Sequence, residues 1–151
     1  MPDAPTDAQQ LAEAVGHAMF ARDLASRTLG MQLLAIRPGF ARVSMVVRPD
    51  MCNGHLICHG GLIFTLADST FAFACNSYNH NTVALGCTID FMAPGKNGDV
   101  LTAIGEMRQQ GSRAGLYDVA VTNQDGTAIA LFRGKSYRIK GTVLGEATAR
   151  D

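Results

Sequence analysis

The stretch HGGLIFTLADSTFAFACN, residues 59–76, decides the fold of this chain. Apolar side chains occupy most positions between Leu62 and Ala74, so at helical spacing they cover a helix nearly all round. A helix of that kind is buried on most sides instead of lying on a surface. The stretch therefore predicts one long central helix that the remainder of the chain must enclose.

Segments on both sides of this helix alternate apolar and polar residues with a period of two, which is typical of half-buried strands. The predicted strands cover 31–37, 41–48, 82–91, 101–108, 117–121 and 129–137, and a predicted helix over 7–28 precedes them. Consecutive strands that tight turns join are antiparallel. The sequence therefore predicts an α+β fold in which one antiparallel sheet wraps around the central helix.

The composition indicates a single domain over residues 1–151, with flexible termini expected at 1–10 and 141–151. The 47% of hydrophobic residues provide a core and exclude disorder across the chain. Lys+Arg and Asp+Glu both number 13, so no basic excess is present for binding nucleic acid. No apolar run approaches the roughly 18–20 residues that cross a bilayer, and no signal peptide is expected. We therefore expect a cytosolic protein with neither nucleic-acid nor membrane partners.

The four cysteines are expected to be reduced packing residues, because none stands in a C-x-x-C pair. A zinc site could be built from Cys52, His55, Cys58 and His59. These ligands crowd into eight positions, however, and no second pair follows at the spacing of a zinc finger. Neither a metal nor another cofactor is therefore expected.

Asp68 stands in the middle of the apolar helix, where an unpaired carboxylate costs several kcal/mol. One interpretation is structural: the side chain faces a solvent gap or accepts a hydrogen bond from a neighbouring strand. The other is functional: the carboxylate is a base or a nucleophile in a partly dry pocket.

The start of the same helix is the second unusual feature. Gly60 and Gly61 expose backbone N–H groups at a helix N-terminus, which suits a developing oxyanion as well as a phosphate. Asp68 lies eight residues beyond Gly60, roughly 12 Å along the axis. A nucleophile must sit about 3 Å from the carbon whose oxygen occupies the donor site. Two antiparallel copies of the helix satisfy this, which predicts an obligate dimer with two sites, each built from both subunits.

Several motifs together resemble the hotdog-fold acyl-CoA thioesterases, most nearly the phenylacetic-acid-degradation (PaaI) type. They are NGH at 53–55, CHGG at 58–61, LADS at 66–69, AFACNS at 72–77, TIDF at 88–91, PG at 94–95 and LFRGKS at 131–136. The resemblance covers about residues 12–147. It implies a hotdog fold, a double-hotdog dimer that is usually paired again into a tetramer, and hydrolysis of an acyl-CoA thioester to the free acid and CoA. Ring-hydroxylated phenylacetyl-CoA, an intermediate of phenylacetate catabolism, is the characteristic substrate that it implies.

The resemblance also implies a role for individual residues. Asp68 is the catalytic carboxylate, and the N–H of Gly60 polarises the thioester carbonyl. His59 lies near the leaving sulfur or supports the oxyanion loop, unless it is only a helix cap. Asn53 orients the attacking water.

Substrate-binding roles are expected for a second group of residues, among them Gly61 at the helix start. Cationic side chains should meet the phosphates of coenzyme A, and we assign this contact to Arg113, Arg133 and Lys135. The last strand is expected to present Ile129, Leu131, Arg133, Lys135 and Tyr137 on one face. Ser69 and Thr70 either line the acyl pocket or bond back to helix carbonyls.

Two other functions compete with hydrolysis. The first is a hotdog-fold hydratase or dehydratase that acts on enoyl thioesters, which a spectrophotometric test with crotonyl-CoA would reveal. The second is a non-catalytic acyl-CoA-binding module. Such modules usually carry a DNA-binding segment, and no such segment is visible in the sequence.

Overall fold

The computed structural model describes residues 7–145, which form three α-helices and six β-strands. The helices are α1 (Asp7–Arg22), α2 (Leu24–Thr28) and α3 (Gly60–Asn76), and a short 3-10 helix covers Pro49–Met51. The strands are β1 (Gln32–Arg37), β2 (Phe40–Val46), β3 (Thr82–Phe91), β4 (Val100–Gln110), β5 (Ala114–Thr122) and β6 (Ala128–Arg138).

The six strands form one sheet in the order β1-β2-β4-β5-β6-β3, and every neighbouring pair is antiparallel. Helix α3 packs against this sheet and contacts all six strands. The predicted α+β arrangement, an antiparallel sheet around one apolar helix, is confirmed.

The core lies between α3 and the sheet. The ring of Phe71 on α3 packs edge-to-face with Tyr117 and tilted against Phe132, with ring centroids 5.7 Å apart in both pairs. Gly134 lets the helix approach β6 closely, because a Cβ there would stand 2.7 Å from the Phe71 ring. This contact fixes α3, and with it Gly60 and Asp68, relative to the sheet.

The prediction of a continuous helix over 7–28 is wrong, because the chain breaks between α1 and α2 at Asp23. Asp23 leaves the helical conformation (φ −85°, ψ 85°) and caps α2, its Oδ1 accepting the Ser26 N–H at 3.0 Å. Aspartate competes for backbone donors in this way at helix starts. Two shorter helices result, and α2 packs against α3.

The predicted face of the last strand is correct except at its start. Leu131, Arg133 and Lys135 are exposed together, but Ile129 is fully buried. The register of β5 and β6 shifts beside Ile129, and such a bulge turns one side chain to the opposite face. Tyr137 is half-buried.

The ends of the chain lie mostly outside the described residues. Of the termini expected to be flexible, 1–6 and 146–151 fall outside, 7–10 form the first residues of α1, and 141–145 are irregular. Between residues 7 and 145, no helix is both long enough and apolar enough to cross a membrane.

Strand β3 lies at one edge of the sheet and exposes apolar side chains there. The exposed fractions are 44% at Val83, 64% at Leu85 and 53% at Phe91, and Met92 follows at 59%. The outer edge of β3 pairs with no other strand of the described chain. An apolar strand with an open edge is a surface on which a second chain can add.

Candidate active site

The N-terminus of α3 carries one unused backbone donor. His59 caps the helix: its Nδ1 accepts the Gly61 N–H at 2.9 Å, and its carbonyl accepts the N–H groups of Leu62 and Ile63 at 2.9 and 3.3 Å. The N–H of Gly60 has no acceptor among residues 7–145. A helix N-terminus concentrates partial positive charge on such a donor. The Gly60 N–H is therefore available to an oxygen atom, whereas the Gly61 N–H already donates to His59.

The cap fixes the tautomer of neutral His59. Because Nδ1 accepts a hydrogen bond, the ring proton is on Nε2. The side chain of His59 is exposed, and its Nε2–H has no acceptor in the described chain. The structural interpretation of His59 as a helix cap is thus correct, and the same ring keeps its Nε2–H available as a donor.

Asn53 uses its side-chain oxygen to hold the loop before α3. Its Oδ1 accepts the N–H groups of His55 and Ile57 at 2.9 and 3.4 Å, and its own N–H donates to the Ile57 carbonyl at 2.8 Å. The Nδ2 amide has no acceptor within residues 7–145. Because two N–H groups occupy Oδ1, Asn53 can orient a water molecule only through its Nδ2–H donor.

Asn53 and Gly60 line the same cavity, which has a volume of about 420 Å³. Its other walls include Ile63 on α3 and the segment from Phe91 to Gly95. A Cβ at Gly60 would stand 3.1 Å from the Phe91 ring, so any side chain at this position would crowd that ring. The role of Phe91 as a wall of the site was missed, although the TIDF motif contains it.

Asp68 does not line this cavity and has no hydrogen bond in the described part of the chain. Its side chain is half-buried, and desolvation raises the pKa of the carboxyl group. Burial raises the pKa of the Cys75 and Cys87 thiols, and the negative charge of Asp68 raises it further, so Asp68 lies near both thiols. Of the two structural interpretations of Asp68, a hydrogen bond from a neighbouring strand is not seen among residues 7–145, whereas the partly exposed side chain leaves the solvent gap open.

The hydroxyls of Ser69 and Thr70 are both used inside the protein. Thr70 is fully buried and donates to the Leu66 carbonyl at 2.7 Å. Ser69 lies 2.8 Å from the Ser26 hydroxyl, which in turn donates to Asp23 Oδ2 at 2.6 Å. Of the two alternatives for Thr70, the geometry favours the bond back to the helix. The Ser69 contact spans 43 residues, and no local pattern predicts it.

The three cations do not meet the cavity within one chain. Arg133 and Lys135 point from β6 to the face of the sheet opposite α3, and Arg113 is exposed between β4 and β5. Arg133 forms an ion pair with Asp118 at 2.7 Å, which lowers the pKa of that carboxyl group. Arg108 contacts the same carboxylate at 2.9 Å.

The described residues hold no cluster of three or more side chains that could bind a metal. The alternative zinc site fails at His59, whose Nδ1 accepts the Gly61 N–H. The four cysteines are free thiols.

Comparison with known proteins identifies the family. The pattern of the thioesterase superfamily matches residues 55–130. The acyl-coenzyme A thioesterase PaaI of Escherichia coli K12 is 50% identical over 131 residues, 87% of this chain and 94% of that protein. A putative esterase of Archaeoglobus fulgidus is 34% identical over 86% of this chain and 84% of its own length.

Solved structures agree with the sequences. The Escherichia coli PaaI protein, from the phenylacetic acid degradation operon, superposes with a TM-score of 0.89 at 47% identity, over 90% of this chain and 99% of that one. A hypothetical thioesterase of Streptococcus pneumoniae, solved with coenzyme A, superposes with a TM-score of 0.69 at 30% identity, over 72% of this chain and 87% of that one. The chain therefore belongs to the thioesterase superfamily, among the hotdog-fold acyl-CoA thioesterases of the PaaI type.

Proposed function

We propose that this chain hydrolyses aryl- and acyl-CoA thioesters to the free acid and CoA, with phenylacetyl-CoA and its ring-hydroxylated forms as the preferred substrates, in phenylacetate catabolism. The observation that carries the proposal is the Gly60 N–H, which has no acceptor among residues 7–145. It lies at a helix N-terminus and shares a cavity with Asn53, whose Nδ2 amide is also without an acceptor there. The source of the PaaI relative in a phenylacetic acid degradation operon supports the substrate class.

The chemistry follows from the polarity of these groups. The thioester oxygen accepts the Gly60 N–H, which stabilises the oxyanion when the carbonyl carbon becomes tetrahedral. Asp68 supplies the carboxylate that either deprotonates the attacking water or attacks the carbon directly. Burial raises the pKa of Asp68, which makes the carboxylate a stronger base. The Nε2–H of His59 is free to donate a hydrogen bond to the departing sulfur, which leaves as the thiolate.

The site takes its carboxylate from a second copy of the chain. Asp68 does not line the cavity of its own Gly60, and the two residues are roughly 12 Å apart along α3. Two α3 helices packed antiparallel bring each Gly60 to the partner's carboxylate. The open apolar edge of β3 supports a dimer in which two sheets join, and a further pairing of dimers gives a tetramer.

The phosphates of coenzyme A are bound by cations that no carboxylate neutralises. Arg113 and Lys135 form no ion pair within residues 7–145, whereas Arg133 forms an ion pair with Asp118. We therefore rank Arg113 and Lys135 above Arg133 as phosphate contacts. The four free thiols agree with the cytosolic location expected from the sequence.

The first experiment compares Asp68→Asn with the unaltered protein on a panel of CoA thioesters, with thiol release as the readout. The panel contains phenylacetyl-CoA, its ring-hydroxylated forms, short aliphatic thioesters and crotonyl-CoA. We expect kcat to fall by about 10² or more while the chain stays folded and dimeric. Unchanged turnover would remove Asp68 from the mechanism, and hydration of crotonyl-CoA without thiol release would indicate a hydratase.

The second experiment tests whether each site is shared. Asp68→Asn and Asn53→Asp each inactivate both sites of a homodimer, but a mixed dimer regains one site with intact Asn53 and Asp68. Statistical mixing after reversible dissociation should restore about a quarter of the activity of the unaltered protein. Mixtures that stay as inactive as the separate variants would show that each site lies within one chain.

A further inference from the structure

Cys52 and Cys58 stand directly opposite each other in the loop before α3. They form an antiparallel bridge, and the bonds on either side of it are Asn53 N–H to Ile57 O and His59 N–H to Met51 O, both 2.8 Å. The bonds flank the cysteine pair and do not join it. Cys52 and Cys58 therefore occupy a non-hydrogen-bonded position of a two-stranded antiparallel segment.

This position has the geometry that a disulfide requires. Residues so paired have Cα atoms about 4.5 Å apart and side chains on the same face, closer together than at a hydrogen-bonded position. A disulfide forms without backbone movement when the Cα atoms are about 4.4–6.8 Å apart. Both thiols are free, and each has only a weak contact, 3.7 Å from Cys52 Sγ to Arg48 O and 3.7 Å from Cys58 Sγ to His59 O.

The pair also brackets the candidate site. Cys52 precedes Asn53, and Cys58 precedes His59 and lines the cavity that Asn53 and Gly60 share. A bond between the two sulfurs would join both ends of the loop that orients the Asn53 amide. It would also turn Cys58 Sγ away from the carbonyl of His59, the residue that caps α3.

We propose that Cys52 and Cys58 form a reversible disulfide on exposure to a peroxide, and that this bond clamps the Asn53 loop and lowers turnover. The effect on turnover rests on the proposed hydrolysis. The formation of the bond does not, because the loop geometry alone carries it.

The reaction is a two-electron oxidation of the pair. The Cys52 thiolate attacks one peroxide oxygen, the O–O bond breaks, and Cys52 becomes a sulfenic acid while the peroxide leaves as hydroxide or alkoxide. The Cys58 sulfur then attacks Cys52 Sγ, the S–O bond breaks, and the thiol proton leaves with the oxygen as water. Two thiols thus reduce one peroxide. Cys52 reacts first because it is the more exposed, whereas burial raises the pKa of Cys58 to about 11.

The experiment treats the purified protein with stoichiometric hydrogen peroxide, blocks the remaining thiols by alkylation and maps the peptides by mass spectrometry. We expect a linked Cys52–Cys58 peptide, a fall of tenfold or more in kcat/KM for phenylacetyl-CoA, and recovery of both on reduction with dithiothreitol. Cys52→Ser and Cys58→Ser should each abolish the linked peptide and the reversible loss of activity. Cys87→Ser, a control on β3, should retain both.

Each other outcome overturns the proposal. The proposal is wrong if no linked peptide forms, if Cys75 and Cys87 are linked instead, or if a Cys52–Cys58 bond forms and leaves turnover unchanged. If no CoA thioester is hydrolysed at all, the proposed function fails first. The affinity for coenzyme A with and without the mapped bond then replaces turnover as the readout, and an unchanged affinity overturns the clamp.

Discussion

Substitution of Asn53 by aspartate separates the two tasks of this side chain. The carboxylate has nearly the shape of the amide and still accepts the N–H groups of His55 and Ile57, which Asn53 Oδ1 accepts at 2.9 and 3.4 Å. It cannot donate, so it removes only the free Nδ2–H that shares a cavity with Gly60. The loop should stay intact while the site loses a donor.

The expected magnitudes differ for stability and for catalysis. Hydrogen bonds to a charged acceptor contribute about 1.5–3 kcal/mol and those between neutral groups about 0.5–1.5 kcal/mol, so Asn53→Asp should keep or raise Tm. Loss of one donor near an oxyanion costs on the order of 10²–10³ in kcat, about 2.7–4 kcal/mol. A negative charge close to the developing oxyanion adds to that loss. We therefore expect kcat to fall at least 10²-fold at a Tm that is unchanged or higher.

The matched control is Asn53→Ala, which removes the donor and the acceptor together. We expect the same loss of kcat and, in addition, a Tm lower by a few degrees, because two loop hydrogen bonds of about 1 kcal/mol each disappear. Thermal unfolding and steady-state thiol release on phenylacetyl-CoA, measured for both variants, decide the comparison. Full activity of Asn53→Asp, or a Tm that drops as far as in Asn53→Ala, would refute this assignment.

Further predictions concern stability. Burial raises the pKa of Asp68, so the folded state holds the carboxyl proton more tightly than the unfolded state does. At pH values above that raised pKa, Asp68→Asn should therefore have a higher Tm than the unaltered protein. The difference in Tm should vanish below about pH 3.8, where the carboxyl group is protonated in both states. Gly134→Ala puts a Cβ 2.7 Å from the Phe71 ring and should cost about 1–3 kcal/mol in urea unfolding, whereas Gly54→Ala, with open space around it, should cost little. His59→Ala removes the cap of α3 and should cost about 1 kcal/mol, while an unchanged Tm would show that the cap contributes nothing.

The sequence predicts the parts of this protein that depend on periodicity and helix polarity. The apolar run after His59 predicts α3, the alternation of residues 82–91 predicts β3, and the glycines predict an unused donor at the helix start. Each of these features follows from neighbouring residues alone. The separation of Asp68 from Gly60 follows in the same way from the rise of a helix.

The features that the sequence does not predict depend on contacts between distant residues. Ser69 meets Ser26 only because α2 packs on α3, and the break at Asp23 depends on a cap that the apolar pattern does not reveal. The packing of Phe91 against Gly60 requires the end of β3 to return to the start of α3. The occupied Oδ1 of Asn53 depends on the conformation of one loop.

The eight-residue spacing between Gly60 and Asp68 has a practical consequence for anyone who measures this protein. The reaction centre that we propose draws on two chains and exists only while they are associated, so specific activity should decline on dilution below the dissociation constant of the dimer. Plots of initial rate against total protein would then curve upward, and nanomolar assays would understate the turnover that concentrated samples reach.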